Sequence, residues 1–234
     1  MDYLIICSSP RTGSTWLASL LAEAGLVSGG LEFFEPGLVM PREVFPALGT
    51  TIEKVMEDFD GYVEQIKRRW GTADRHFCVK LHWRDFETKF TRKLDLGRHF
   101  PNARYLLCTR EDLVLQAISN FRARETGGWI HGAATRADPE YDFDAIRRET
   151  EELAAHARAW EGWFGEHGID PHRTTYEALE ADYRRVVRDI AAWMGSPLGF
   201  WAAWKLKSPL KKQRDETAAA WRTRFLTERA ALRS

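Results

Sequence analysis

The sequence predicts one α/β domain in which a central parallel sheet is flanked by helices. Three observations carry that expectation. Short apolar runs at residues 3–7, 77–81 and 104–108 have the length and composition of buried strands. Segments with helical spacing separate them, and strands separated by helices pair in parallel beneath helices on both faces. The chain's 234 residues, 44% of them hydrophobic, suffice for a full core. No repeat or low-complexity tract divides residues 1–234, which are read as one domain.

The first strand, 3–7, runs into Ser8-Ser9-Pro10-Arg11-Thr12-Gly13-Ser14-Thr15-Trp16, and a helix follows over 17–24, ending near Gly25. Gly29, Gly30, Pro36, Gly37, Pro41 and Pro46 make 27–46 mostly loop. Val55, Met56, Phe59, Tyr62, Val63 and Ile66 repeat at helical spacing, so 52–70 is predicted as a helix. Strand 77–81 is followed by a helix over 87–99, stopped before Pro101, and strand 104–108 by a helix over about 112–124. A polar, glycine-containing loop covers 126–142. A long helix then spans about 143–167, a fourth strand covers 172–175, and another helix spans about 181–194. The tail is basic from Lys205 onward and ends in a helix around 218–231.

Thirty-four basic and 34 acidic residues leave a formal net charge of +0. That excludes a global field for nucleic acid or an anionic membrane and leaves room for a local basic pocket. Cys7, Cys78 and Cys108 lie in apolar strand runs and read as reduced and buried. With the first strand beginning at residue 3 and no apolar run of membrane-spanning length, the expected location is the cytoplasm. No His, Cys or carboxylate cluster has metal-ligand spacing, so no metal is expected.

Strand, small-residue turn and helix aim free backbone N–H groups at an anion. In the first loop Arg11 adds a fork of donors, and Ser14 and Thr15 add hydroxyls. The loop lacks the lysine and first glycine of GxxxxGK[ST], which counts against a nucleoside-triphosphate hydrolase. A nucleotide-dependent kinase with a degenerate loop is the rival enzyme reading, though it lacks a clear magnesium carboxylate. In an open α/β sheet ligands sit beyond the carboxyl ends of the strands. The loop, Lys80 to His82, and Arg110 all fall on that edge.

Pro10-Arg11-Thr12-Gly13-Ser14-Thr15-Trp16 resembles the 5′-phosphosulfate loop of sulfotransferases, P-K-S-G-T-T-W, with Arg11 at the usual lysine. Four further stretches resemble the bacterial Stf0 branch in order along most of the chain. They are Leu31-Glu32-Phe33-Phe34, Lys80-Leu81-His82-Trp83, the run from Gln116 to Ala123 (Q-A-x-S-x-x-R-A), and Gln213, Asp215, Trp221 and Arg224 in the tail. The resemblance implies a P-loop-like sulfotransferase fold and 3′-phosphoadenosine 5′-phosphosulfate (PAPS) as co-substrate. The implied acceptor is a carbohydrate or glycolipid hydroxyl, and homodimers are known in the branch.

Residue by residue, the resemblance assigns Arg11, Thr12, Gly13, Ser14 and Thr15 to the 5′-phosphosulfate. Arg110 and Ser119 go to the 3′-phosphate, nine residues apart where eight is commoner. The two sets are expected to hold opposite ends of one nucleotide. Gln213 and Arg214 join them from the basic tail. For the base that deprotonates the acceptor, the branch's glutamate falls on Glu32. His82 competes, because Lys80-Leu81-His82 also resembles the K-T-H of animal-type sulfotransferases; Glu32 is favoured. Trp129, in Gly127-Gly128-Trp129, is a candidate acceptor lid. A non-catalytic binder of adenosine 3′,5′-bisphosphate is the third reading.

Overall fold

Leu4 and Ile6 belong to one buried cluster, Ile5 and Cys7 to another. Successive side chains of a strand covered on both faces divide in this way. The structure, a computed structural model, describes residues 1–37, 39–88, 91–129, 139–207 and 216–232. Its strands are β1 (Tyr3–Ser8), β2 (Val27–Leu31), β3 (His76–His82), β4 (Arg104–Thr109) and β5 (His172–Thr175). They form one parallel sheet in the order β2-β3-β1-β4-β5.

The helices are α1 (Ser14–Glu23), α2 (Phe45–Leu48), α3 (Ile52–Glu57), α4 (Phe59–Trp70), α5 (Trp83–Phe86), α6 (Leu96–His99), α7 (Leu113–Thr126), α8 (Phe143–Glu166), α9 (Tyr176–Trp193), α10 (Phe200–Lys205) and α11 (Glu216–Ala231). A π-helical turn covers Met40–Val44 and a 3-10 turn Thr91–Lys93. Helices α1 and α9 cover the sheet face carrying Leu4, Ile6, Cys78, Leu106 and Cys108. Helix α4, Phe33, Phe34 and the end of α8 (Trp160, Phe164) cover the face carrying Ile5, Cys7, Val79, Leu81 and Leu107. A third cluster joins α7, α8 and α11 through Ile118, Leu153 and Phe225. All three cysteines are buried and free, and burial pushes the Cys78 and Cys108 thiols up to about 12.

The fold class and the four expected strands stand as predicted, and the sheet has a fifth strand. Sequence reading put residues 27–31 in a loop because of Gly29 and Gly30. Those glycines serve an edge-strand irregularity: both have φ near +80°, and the pairing with β3 shifts register between Gly29 and Leu31. A Cβ at Gly29 would come within 2.8 Å of the Cys78 carbonyl.

The expected 52–70 helix is broken at Asp58, whose φ of −131° is not helical and whose carboxylate accepts from Gly61 N as the cap of α4. The expected 87–99 helix resolves into short pieces, the last opened by Asp95 accepting from Arg98 N. Helix α9 begins at Tyr176 rather than 181. It kinks at Asp182, which accepts from Arg185 N and so looks in sequence like a helix start. Helix α10 has no counterpart in the sequence reading.

Candidate active site

Parallel pairing puts every strand's carboxyl end on one edge, and each end delivers a polar or aromatic group there. Across the edge, in sheet order, Glu32 follows β2 and His82 ends β3. The anion loop follows β1, Arg110 follows β4, and Tyr176 follows β5.

The loop's backbone is held in a demanding shape. Arg11 has φ 66° and Gly13 φ 79°. A left-handed residue other than glycine carries strain that its surroundings must hold. Here the Thr12 hydroxyl donates to the Ser9 carbonyl at 3.1 Å. Gln116, from α7, donates to Ser9 Oγ at 3.0 Å and the Pro10 carbonyl at 2.7 Å. Cys108 donates to the Thr12 carbonyl at 3.3 Å. Helix α1 opens at Gly13 with no side-chain cap among the described residues. The first-turn N–H groups of a helix point out of its amino end, and here that end faces the strand edge.

Arg11 is largely buried. Its Nε donates to Ser119 Oγ at 2.8 Å and an Nη to the Trp129 carbonyl at 3.1 Å. Burial and the neighbouring Arg110 cation both lower its pKa. Arg110 donates to the Arg11 carbonyl at 3.4 Å and lies over the Tyr176 ring, 4.4 Å from its centroid. Arg110 Nε is buried with no hydrogen-bond partner among the described residues. Two neighbouring guanidiniums, one with an unsatisfied donor, suit a multiply charged anion.

Glu32 sits between Lys80 and His82. Its Oε1 accepts from Lys80 Nζ at 2.8 Å and meets His82 Nε2 at 2.9 Å. The opposite ring nitrogen, Nδ1, is 2.9 Å from Ser8 Oγ. An ionised carboxylate only accepts, so Nε2 donates to it, and Nδ1 shares the second bond with the serine hydroxyl. Burial alone would raise the Glu32 pKa, but His82 and then Lys80 outweigh it, so the carboxyl is held well below the usual range. Lys80 also donates to Thr15 Oγ1 at 2.5 Å, linking this group to the anion loop. Nearby, burial pushes Asp85 up to about 6, partly offset by His82 and Arg84.

The structure thus brings Glu32, Lys80, His82, Arg11, Thr12, Gly13, Ser14, Thr15, Arg110 and Ser119 to one edge. Ser119, expected beside Arg110, has its hydroxyl bonded to Arg11, so the residues expected at the two ends of the nucleotide adjoin. Gln213 and Arg214 lie outside the described residues. Trp129 meets the site through its carbonyl.

Trp221 and Arg224 are structural. Trp221 packs against Phe121 and Tyr141, and Arg224 lies over Tyr141 while pairing with Glu228. Sequence reading missed Tyr176 because the helix start was placed five residues late; its position directly after a parallel strand was the available signal. It also missed Ser8, whose carbonyl accepts from Trp160 Nε1 at 2.9 Å.

Among solved structures, the architecture is similar in fold to a sulfotransferase. Sulfotransferase STF9 from Mycobacterium avium matches with a TM-score of 0.52 at 14% identity, covering 97% of this chain and 76% of that one, a likeness of fold. The sulfotransferase domain of the Synechococcus PCC 7002 olefin synthase matches at TM-score 0.49 and 18% identity, over 95% and 88%. The family described as Stf0 sulphotransferase matches residues 3–228, and the chain belongs to that family. Trehalose 2-sulfotransferase of Mycolicibacterium smegmatis is 25% identical, covering 95% of this chain and 93% of the relative. The protein is a transferase. Among the described residues, no helix is long and apolar enough to cross a membrane, and no group of three or more His, Cys, Asp or Glu could hold a metal ion.

Proposed function

We propose that the protein moves the sulfuryl group of PAPS to a hydroxyl of a carbohydrate or glycolipid, giving adenosine 3′,5′-bisphosphate and a sulfate ester. The observation carrying this reading is the Lys80 bridge. One ammonium touches both Thr15 of the anion loop and the Glu32 carboxylate, so a donor anion and a base fall within one side chain of each other. The donor supplies an activated sulfuryl group on a phosphate leaving group.

Arg11, the uncapped start of α1 and the Ser14 and Thr15 hydroxyls hold the 5′ end. Arg110, stacked on Tyr176, serves the nucleotide's other phosphate. Arg11 and Lys80 offset the charge that gathers on the leaving oxygen. Gln213 and Arg214 are assigned to the same nucleotide on sequence alone.

Glu32 is the base. Both ring nitrogens of His82 are already engaged by Ser8 and Glu32, which leaves that imidazole to orient and polarise the carboxylate. The Glu32 oxygen not bonded to Lys80 and His82 takes the acceptor's proton as the new S–O bond forms. General-base assistance of this kind is worth roughly 10²–10⁴-fold. The acceptor class is argued from the relative named as a trehalose 2-sulfotransferase.

Incubation with labelled PAPS and a panel of sugars and glycolipids, read by mass spectrometry, tests the proposal. A sulfate added to a sugar hydroxyl is the expected result. Transfer to none of the panel, together with phosphorylation from ATP, would return the assignment to a kinase.

A further inference from the structure

Away from the active site, α10 carries the most exposed aromatic surface among the described residues. Trp201 is 70% and Trp204 61% exposed, and their rings meet edge-on with centroids 6.2 Å apart. Three residues apart, they share one face of the helix, while Ala203 and Leu206 are buried beneath. The face is anchored. Tyr183 donates to the Leu206 carbonyl at 3.1 Å and Arg184 Nε to the Trp204 carbonyl at 3.1 Å. Tyr183 also packs on Trp16, centroids 6.1 Å apart, so the patch lies two side chains from the anion loop.

Charge around the patch is one-sided along the chain. Lys205 and Lys207 are exposed directly after the tryptophans. No acidic residue occurs between Asp189 and Asp215. Exposed tryptophans flanked by lysines, on a chain whose total charge is zero, match the composition that seats a protein in the headgroup region of a bilayer. A twofold contact centred on the patch would oppose the same lysines across the axis, which disfavours self-association through it.

We infer that the α10 face, through Trp201, Trp204, Lys205 and Lys207, docks the protein reversibly on an anionic bilayer surface. The tryptophans enter the headgroup layer and the lysines face lipid phosphates or carboxylates. Each lysine near such a surface strengthens binding by roughly five-fold.

Sedimentation of the intact protein with phosphatidylcholine vesicles, with and without about 30% phosphatidylserine, reads this directly and requires no sulfotransferase activity. The native protein should pellet with the anionic vesicles only. Lys205→Ala/Lys207→Ala should weaken that binding roughly 30-fold, and Trp201→Ala/Trp204→Ala should abolish it, with melting temperatures unchanged because all four side chains are exposed. Three results would overturn the inference: native protein remaining in the supernatant, equal binding to neutral and anionic vesicles, or light scattering in which the tryptophan variant turns a dimer into a monomer without vesicle binding.

Discussion

Replacing Glu32 with Gln should move two measurements in opposite directions. Catalysis should fall, because an amide cannot take the acceptor's proton; the expected loss in kcat is roughly 10²–10⁴-fold, or about 3–5 kcal/mol of barrier. Binding of adenosine 3′,5′-bisphosphate should tighten. Lys80 Nζ is 2.8 Å from Glu32 Oε1 and 2.5 Å from Thr15 Oγ1, so the carboxylate is at most about 5 Å from the loop that receives the anion, and its repulsion there is roughly 1–3 kcal/mol at effective dielectrics between bulk water and a protein surface. Removing the charge while keeping the shape should therefore improve affinity by about five-fold or more. Calorimetry with the bisphosphate and single-turnover transfer from labelled PAPS supply the two readings. The base assignment is refuted if Glu32→Gln turns over within a few-fold of the native protein while His82→Ala does not. Weakened nucleotide binding in Glu32→Gln would refute the charge argument separately.

Three further substitutions probe the rest of the site. Arg11→Ala removes a charge-assisted donor worth roughly 1.5–3 kcal/mol, so the bisphosphate dissociation constant from calorimetry should rise at least ten-fold. Gly13→Ala places a Cβ 2.9 Å from Tyr176 Cδ2 at φ 79°. At roughly 1–2 kcal/mol for the left-handed backbone alone, it should lower the melting temperature by about 2–8 °C. Asp85→Asn should alter the pH dependence of stability. The folded protein holds the Asp85 carboxyl at about 6, so it keeps that proton more tightly than the unfolded chain, and stability from this group is lost as pH rises from about 4 toward 6. Denaturant titrations should show the native protein losing stability relative to Asp85→Asn over that window, by on the order of 3 kcal/mol.

Three of the four strands that sequence made visible, all but 172–175, are built mainly of apolar side chains. The 104–108 and 77–81 runs are short and mainly hydrophobic, and their length and strand-forming residues identify them. Strand β2 was hidden because its two positive-φ glycines serve an edge irregularity, and in sequence such glycines resemble a turn. Its loss mattered for the site. Glu32 was picked out by motif likeness, but only the strand explains why that carboxylate reaches the same edge as His82 and Arg110. Tyr176 was obscured by a kink inside α9, since Asp182 caps a second helical segment and masks the true start. The contact between Ser119 and Arg11 depends on how α7 leans over the loop, a packing relation that sequence spacing does not encode.

Lys80 explains how two requirements of this site coexist. A carboxylate pinned by a lysine and a histidine is a weak base, yet without them it could not stay ionised in a buried setting. The same ammonium reaches Thr15, so an anion seated on the loop competes with Glu32 for its charge. In the proposed mechanism, a donor anion on the loop draws on Lys80, which weakens its hold on the carboxylate and favours proton uptake by Glu32. His82 keeps the carboxylate oriented during that change because Ser8 fixes the far side of its ring. In that mechanism donor binding and basicity are coupled through one side chain, because the same ammonium touches both Thr15 and Glu32.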